Sequence, residues 1–296
     1  MNSIAARIAS RVSSGNGRNR SATRTAAQPL VFRCALPLVA AALLGACAST
    51  TPGGRSQLAA PEPISSLYSS LDLKLTLASL ATVATSCAGI QCQVDKGFER
   101  QVVRLGARLA EAAYESYPEL RERIPEFTFV VAEKIEGGSS SDASGTIVIY
   151  RGVRKAALDE EALAWLIARE MGRVISRHHD EKSAATILSS LIAQVLLAPA
   201  NLARGMAFIV SSTATAFGQE FVATGSIPAQ RKEADVIALD LLSRQGWSDT
   251  EIADSLRDYS HRLDRNSWSE EVKSTVQRLN NYKSADILAL TQQPVF

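Results

Sequence analysis

The chain has 296 residues, of which 46% are hydrophobic and 21% are charged, and its formal net charge is +2. This composition is typical of a globular protein, and the length allows one large domain or two small ones. Residues 1–47 hold six arginines and no acidic residue, so the remainder carries 26 basic and 30 acidic side chains, a net charge of −4. The sequence contains no stripe of basic residues that could follow a phosphate backbone, which argues against a nucleic-acid partner.

Residues 1–47 have the organisation of a secretory signal peptide. Arg33 precedes an apolar run, Ala35–Leu44, that is too short for a stable membrane anchor. Leu-Gly-Ala and then Cys47 follow, which resembles the bacterial lipobox, in which the cysteine is acylated and becomes the first mature residue. The sequence therefore predicts a lipid anchor at Cys47, with an ordinary signal peptide as the alternative. Ala48 in the second mature position resembles sorting to the outer membrane, where the protein would face the periplasm.

The mature chain divides by composition. Residues 48–65 are rich in Pro, Gly, Ser and Thr, which predicts a flexible tether between the lipid and the domain. Residues 66–296 then form the domain. Cys87 and Cys92 lie close together in a chain bound for an oxidising compartment, and a local disulfide is predicted between them.

The first half of the domain predicts helices and two strands. Leu67–Val83 is apolar with helical or mixed spacing, and Phe98–Tyr117 has apolar residues at three- and four-residue steps. Phe127–Ala132 and Thr146–Tyr150 are β-branched and aromatic runs, which predict strands. The serine- and glycine-rich segment Gly137–Gly145 between them is interpreted as a loop.

The second half is predicted to be helical. A long helix extends from about Leu158 to His179. Ser183–Ala203 and Gly205–Gln219 contain no charge, which favours a buried helical hairpin over membrane spans because their apolar content is diluted by polar residues. Three further amphipathic helices follow, over Lys232–Arg244, Thr250–Leu263 and Glu270–Leu279.

The chemistry-bearing pattern lies in the long helix. Its core reads Arg169-Glu170-Met-Gly-Arg173, and histidine at the two arginine positions would make it His-Glu-x-x-His. In that motif two imidazoles one helical turn apart bind zinc, and the glutamate acts as general base on the metal-bound water.

The flanks of this motif resemble peptidase family M-forty-eight, which comprises gluzincin zinc metalloendopeptidases such as the CAAX prenyl protease, the bacterial heat-shock membrane protease and periplasmic quality-control proteases. That family carries Glu-x-x-Ala-Asp downstream, where the glutamate is the third zinc ligand and the aspartate supports a histidine; here the segment runs from Arg231 to Asp235. Gly145–Gly152 resembles the family's edge strand, which lies beside bound substrate. The resemblance covers roughly residues 98–246. It implies an α+β, mostly helical, zincin-like metallopeptidase domain with a small sheet packed beside the motif helix.

All three positions that the resemblance assigns to zinc ligands hold arginine, at Arg169, Arg173 and Arg231. A guanidinium stays protonated, offers no lone pair and repels a divalent cation. Glu170 remains at the general-base position and Asp235 at the orienting position, and both could pair with the arginines in place of zinc. No cofactor is therefore predicted, although the family uses zinc.

Ordinary structural roles are the alternative interpretation of these residues. The arginines could be ordinary surface residues on a charged helix face. His178 and His179 are adjacent and point apart on a helix, so we expect solvent-facing or capping histidines rather than substitute ligands. A slip in register would make Glu233 a ligand, but its helix still lacks two histidine partners.

Three functions are compatible with these features. The first is a catalytically inactive scaffold or binding protein of the cell envelope, held at the membrane by its lipid and contacting envelope proteins. The second is an active metalloendopeptidase that cleaves envelope proteins and completes its site in another way. The third is recognition of an anionic group, such as a carboxylate or phosphate, by the arginine cluster. Serine-hydrolase and phosphate-loop motifs are absent from the sequence.

Overall fold

The computed structural model describes residues 48–78, 90–156, 159–189, 212–263 and 267–281. They form a mostly helical domain with two small sheets, which confirms the α+β class predicted from the sequence. The helices are α1 (Glu62–Ala78), α2 (Ile90–Ser116), α3 (Leu120–Arg123), α4 (Glu160–Ile175), α5 (178–189), α6 (Ser212–Arg244), α7 (Asp249–Arg262) and α8 (Ser267–Asn281). The strands are β1 (Ala48–Thr50), β2 (Ser56–Leu58), β3 (Thr128–Ala132), β4 (Ser139–Ser141) and β5 (Thr146–Tyr150), and a 3₁₀ helix spans Arg151–Ala156.

The segment expected to be a flexible tether is instead folded onto the domain. β1 and β2 pair antiparallel, with Ala48 opposite Leu58. Thr51 in the turn is buried, and Arg55 contacts the carboxylates of Glu181 and Glu233. The prediction of a tether over 48–65 is wrong here because these ion pairs fix a segment whose composition alone indicated flexibility.

The main sheet has the strand order β3-β5-β4. β3 lies parallel to β5, and β4 lies antiparallel to β5 on the other side. Alternate residues of β5 face different clusters: Ile147 and Ile149 lie in the main core, whereas Val148 packs with Leu73 of α1. The expectation that Gly145–Gly152 forms an edge strand is therefore wrong, since β5 is central and the unforeseen β4 is the edge.

The motif helix α4 is the centre of the domain. It contacts α2, β4, β5, α6 and α7, and 13 of its 16 residues are buried. Its N-terminus is capped by Asp159, whose side chain accepts a hydrogen bond from the Ala162 N–H. Because the helix is enclosed on nearly all sides, its polar residues Arg169 and Glu170 are buried along with the apolar ones.

The motif helix is shorter than predicted. It ends at Ile175, and Arg177 adopts a left-handed backbone conformation with φ of 60°. The Arg177 guanidinium donates to Asp180 at 2.6 Å, which stabilises this reversal. As a result His178 and His179 begin α5 instead of continuing α4.

α4 and α6 approach most closely at Gly172. A Cβ atom at this position would lie 2.7 Å from the carbonyl oxygen of Ala234 and 3.1 Å from its Cα. Glycine is unfavourable in a helix interior, so the close contact supplies the physical reason for it. This crossing places Arg169 of one helix next to Asp235 of the other.

We predict that Gly172→Ala destabilises the domain by about 1–3 kcal/mol, because the added methyl group forces the two backbones apart. Gly97→Ala is the matched control: Gly97 is also helical, but nothing lies within 4 Å of its added Cβ, and a gain of up to about 1 kcal/mol is expected. Urea unfolding followed by circular dichroism measures both changes. Equal effects of the two substitutions would contradict the close crossing.

Several predicted features lie outside the described residues. Cys47 and Cys87 are among them, as is the side chain of Cys92, so the lipid site and the disulfide stay predictions. The same holds for most of the charge-free segments between Ser183 and Gln219. Among the helices that the structure describes, none combines the length and apolar character needed to cross a membrane.

Candidate functional site

The structure brings Arg169, Arg173 and Arg231 together around one carboxylate. Glu271 of α8 places its Oε1 atom 2.5 Å from Arg169 Nη2, 2.6 Å from Arg173 Nη2 and 3.6 Å from Arg231 Nε. Burial raises the pKa of Glu271, but the charges of the arginines outweigh it and hold the pKa at about 2. Glu271 is therefore ionised at neutral pH and lies at the centre of the cluster.

Arg169 is the most deeply buried cation of this group. Its Nε donates to Asp235 Oδ1 at 2.9 Å, and its guanidinium lies over the Trp165 ring, 5.4 Å from the centroid. Desolvation lowers the pKa of Arg169, but the nearby Asp235 and Glu271 raise it above its ordinary value. A permanent buried charge at the first ligand position is therefore compensated by two carboxylates.

Asp235 links the two helices to a fourth arginine. Its Oδ2 accepts from Arg278 Nη2 at 2.6 Å and from Arg278 Nε at 3.0 Å, while Oδ1 accepts from Arg169. The residue at the orienting position of the motif thus holds two guanidiniums. Arg278 and Glu271 both come from α8, a helix that lies outside the part of the sequence in which the motif was found.

Glu170 is fully buried and has three hydrogen-bonding neighbours. Its carboxylate accepts from Ser139 Oγ and Ser141 Oγ, each at 2.8 Å, and from Arg173 Nη1 at 3.1 Å. The edge strand β4 supplies both serines. Glu170 is therefore held as an acceptor by β4 and by the arginine one turn away on its own helix.

Ser141 extends this network to a histidine. Its Oγ lies 2.9 Å from His179 Nε2 as well as 2.8 Å from Glu170. A hydroxyl has one proton, so with Ser141 donating to the carboxylate, Nε2 of His179 is the protonated nitrogen and donates to Ser141. His179 therefore supports Glu170 through Ser141 and does not act as a base toward the serine.

His178 is buried and His179 is half-buried, so the solvent-facing position that was one of the two sequence expectations is wrong for His178. Burial lowers the pKa of His178, whose Nε2 lies 3.0 Å from Glu233, and Arg55 binds that same carboxylate. Burial raises the pKa of Glu233, but its hydrogen bonds to His178, Arg55 and Thr51 outweigh this and hold the pKa at about 2. Glu233 belongs to this second cluster, beside the arginine site, so the slipped register does not supply a metal ligand.

The state of His179 predicts a pH dependence of stability. Desolvation lowers its pKa to about 4, against about 6.5 in an unfolded chain. Between these values the unfolded chain binds the proton more readily, so stability is lost as the pH falls from about 6.5 to 4. Between pH 7.5 and 5.0, wild type should lose about 2 kcal/mol more than His179→Gln, whose amide can still donate to Ser141. Parallel urea titrations at the two pH values measure this difference, and equal losses would contradict it.

A cleft of about 510 Å³ opens beside the cluster. Its walls come from α1, β4, α5, the middle of α6 and the ends of α4 and α8, and Arg173, Arg231 and Glu271 all line it. The side chains of Arg173 and Arg231 are 25% and 40% exposed, whereas that of Arg169 is 2% exposed. Solvent and solutes therefore reach Arg173 and Arg231, but not Arg169.

These residues do not fit zinc. Arginine supplies no lone pair, and the three carboxylates Glu170, Asp235 and Glu271 are engaged by four guanidiniums. The cluster thus carries one more positive than negative charge. Among the residues that the structure describes, no group of three or more His, Cys, Asp or Glu residues is arranged to hold a metal ion.

No protein-family model matches the chain, and a search of curated proteins finds no match to it. What can be said of its function therefore depends on the motif and on the geometry around Glu271.

Proposed function

We propose that the chain is a lipid-anchored envelope protein with a zincin-like domain that has exchanged zinc for an arginine–carboxylate network and binds protein segments without cleaving them. The observation that carries this proposal is the contact of Glu271 Oε1 with Arg169, Arg173 and Arg231. The carboxylate of Glu271 lies among the three side chains, at the place where the metallopeptidase resemblance predicts a zinc ion. The charge pattern of the zinc site is inverted, while its helix spacing is kept.

Loss of catalysis follows from the chemistry of this exchange. A metallopeptidase needs a metal to polarise the peptide carbonyl and to activate a water molecule. Glu170, at the general-base position, accepts from two serines and an arginine, and it has no metal-bound water to deprotonate. The geometry therefore supports a binding function over hydrolysis.

The cleft has two features that suit an extended protein segment. β4 is flanked by two hydrogen bonds to β5, from Tyr150 N to Gly138 O and from Asp142 N to Thr146 O. Hydrogen-bonded and non-hydrogen-bonded pairs alternate in an antiparallel ladder, so the N–H and C=O groups of Ser139 and Ser141 point away from β5. An extended segment can pair with such an edge.

The second feature is positive charge. Arg231 is 40% exposed and its Nε approaches Glu271 only at 3.6 Å, while a guanidinium has five N–H donors in a fork that matches a carboxylate. Arg173 lies beside it in the same cleft. We therefore assign these two arginines to the C-terminal carboxylate of the bound segment.

The cellular setting is part of the proposal. Acylation at Cys47 would hold the domain at the outer membrane on the periplasmic side, where envelope proteins are the available partners. Retention in the membrane fraction tests this part. Cys47→Ala is expected to prevent acylation and so to reduce this retention. A Cys47→Ala variant that is still acylated, at another residue, would contradict the anchor at Cys47.

Two measurements test the binding function. Elemental analysis of the purified protein should find no stoichiometric zinc. Two random decapeptide pools, one with free C-terminal carboxylates and one amidated, carry different fluorophores and are offered together to the immobilised protein. We expect retention without cleavage and about tenfold enrichment of the free-carboxylate pool, which corresponds to about 1.4 kcal/mol.

Arg231→Gln should abolish the enrichment, while Arg257→Gln, at a similarly exposed arginine on α7, should leave it unchanged. Retention of neither pool by wild type would contradict the binding function. Equal retention of both pools would contradict the role of Arg231 alone. Stoichiometric zinc, with proteolysis that a chelator abolishes, would establish an active metalloendopeptidase instead.

A further inference from the structure

Helix α1 exposes an unusual apolar face. The side chains of Ile64, Leu67, Leu71 and Leu75 follow one another at three- and four-residue steps, which places them in one stripe along the helix. They are 48%, 65%, 51% and 68% exposed, so the described residues leave about half or more of each side chain uncovered. Four large aliphatic side chains on one helix face form a contiguous patch of the kind that marks an interaction surface.

The inward face of the same helix is polar by comparison. Ser65 donates to Asp180 at 2.5 Å, and Ser69 accepts from the backbone N–H of Ala143 at 2.9 Å. Leu73 is the one large apolar residue among the buried positions of α1. Serines thus make most of the contacts that hold this helix to the domain, while most of its leucines point outward. Burial against the residues that the structure describes therefore does not explain these leucines.

The position of α1 in the chain indicates what covers this face. β1 begins at Ala48, the residue after Cys47, and the hairpin is held to the domain by Arg55. Three residues then separate β2 from α1. An acyl chain on Cys47 would therefore have no free linker to the domain. Only the folded hairpin and three residues separate Cys47 from α1, so the bilayer would lie close to this helix.

The charge of the exposed face fits a bacterial bilayer. Between Ile64 and Leu75 α1 carries two charged side chains, Lys74 and Asp72, and the 47% exposed Asp72 is ion-paired with Lys182 at 2.8 Å. These three groups together carry a net charge of +1, and a leucine stripe beside them is suited to the headgroup and acyl boundary of a membrane that contains anionic lipids.

We propose that the Ile64–Leu75 face of α1 inserts into the periplasmic leaflet of the membrane that holds the anchor and fixes the orientation of the domain on it. This inference rests on the proposed anchor at Cys47. The lipid would then provide attachment, while α1 would determine which side of the domain faces the bilayer.

The test uses the lipidated protein in vesicles of phosphatidylethanolamine and phosphatidylglycerol. Leu71→Cys carries an environment-sensitive NBD fluorophore, and Asp254→Cys, at an exposed position of α7, carries it as the control. The chain without either substitution gives the background from its own cysteines. We expect blue-shifted emission at position 71 that nitroxide-bearing lipids quench, and water-like, unquenched emission at position 254. Leu67→Ser with Leu75→Ser should reduce the quenching at position 71 at least severalfold.

Each other outcome is decisive. Acylated protein with water-like emission at position 71 would overturn the inference and leave the anchor standing. Emission that is blue-shifted but not quenched by the lipids would show that protein, such as a second copy of the chain, covers the stripe, which also overturns it. Mass spectrometry that finds no acyl chain on Cys47 would overturn the anchor and the inference together.

Discussion

Replacing Asp235 by alanine is expected to destabilise the domain by about 3–5 kcal/mol. Asp235 is fully buried and accepts from Arg169 at 2.9 Å and from Arg278 at 2.6 Å. Removing one partner of a buried ion pair leaves an uncompensated charge in a desolvated place, and this costs more than the pair contributes when intact. Arg169, whose side chain is 2% exposed, cannot turn to solvent for compensation. Equilibrium urea unfolding followed by circular dichroism measures the loss.

The matched control is Asp254→Ala. Asp254 also pairs with an arginine, Arg257, at 2.6 Å, but its side chain is 71% exposed, so a loss of at most about 1 kcal/mol is expected. Asp235→Asn keeps the shape of the side chain and removes only the charge, and it should fall between the two. A cost for Asp235→Ala no greater than that for Asp254→Ala would show that Arg169 is not held as the structure describes.

The elements of this fold were predictable where apolar periodicity is strong. The sequence predicts β3 and β5 to within one residue, and it places helices where α2, α4, α7 and α8 occur. β4 was not predicted because Ser139–Ser141 has no apolar alternation: its residues pair with β5 through the backbone and contact Glu170 through hydroxyls. Likewise the folded hairpin in the expected tether depends on Arg55, whose partners are 126 and 178 residues away in sequence.

The candidate site could be predicted only in part for the same reason. Helix spacing places Arg169 and Arg173 on one face, and the comparison of motifs points to Arg231 and Asp235. Glu271 lies 98 residues beyond Arg173, in a segment whose sequence signals only an amphipathic helix. Nothing local distinguishes it from Glu270, and only the packing of α8 against α4 and α6 selects it. The one available signal was the excess of arginines over carboxylates in the motif. Buried cations need carboxylate partners, so this excess indicates that another part of the chain supplies one.

Restoring the ligand set should restore zinc binding. The triple variant Arg169→His, Arg173→His and Arg231→Glu places two imidazoles and a carboxylate where the three guanidiniums now contact Glu271 within 3.6 Å. These are ligand types that zinc accepts, and removing three cations lifts the repulsion of the metal. Glu170 and Asp235 stay in place, so the second ligand shell is partly preassembled. We expect one zinc per chain by elemental analysis, against none for wild type.

The variant loses the ion pairs of Arg169, so its apo form should be less stable than wild type, and zinc should recover part of that loss. A ligand that binds only the folded state at 100 times its Kd adds about 2.7 kcal/mol, so the thermal midpoint of the triple variant should rise with zinc while that of wild type stays constant. Arg169→His with Arg173→His alone, which keeps the cation at Arg231, is the matched control and should bind zinc at least tenfold more weakly. Adding Glu271→Ala to the triple variant separates two roles of that carboxylate: weaker zinc binding would make it a ligand, and tighter binding would make it a competitor for the site. A folded triple variant that takes up no zinc would mean that the three positions converge on Glu271 without the geometry of a metal site, and the proposed correspondence with a metallopeptidase site would then be contradicted.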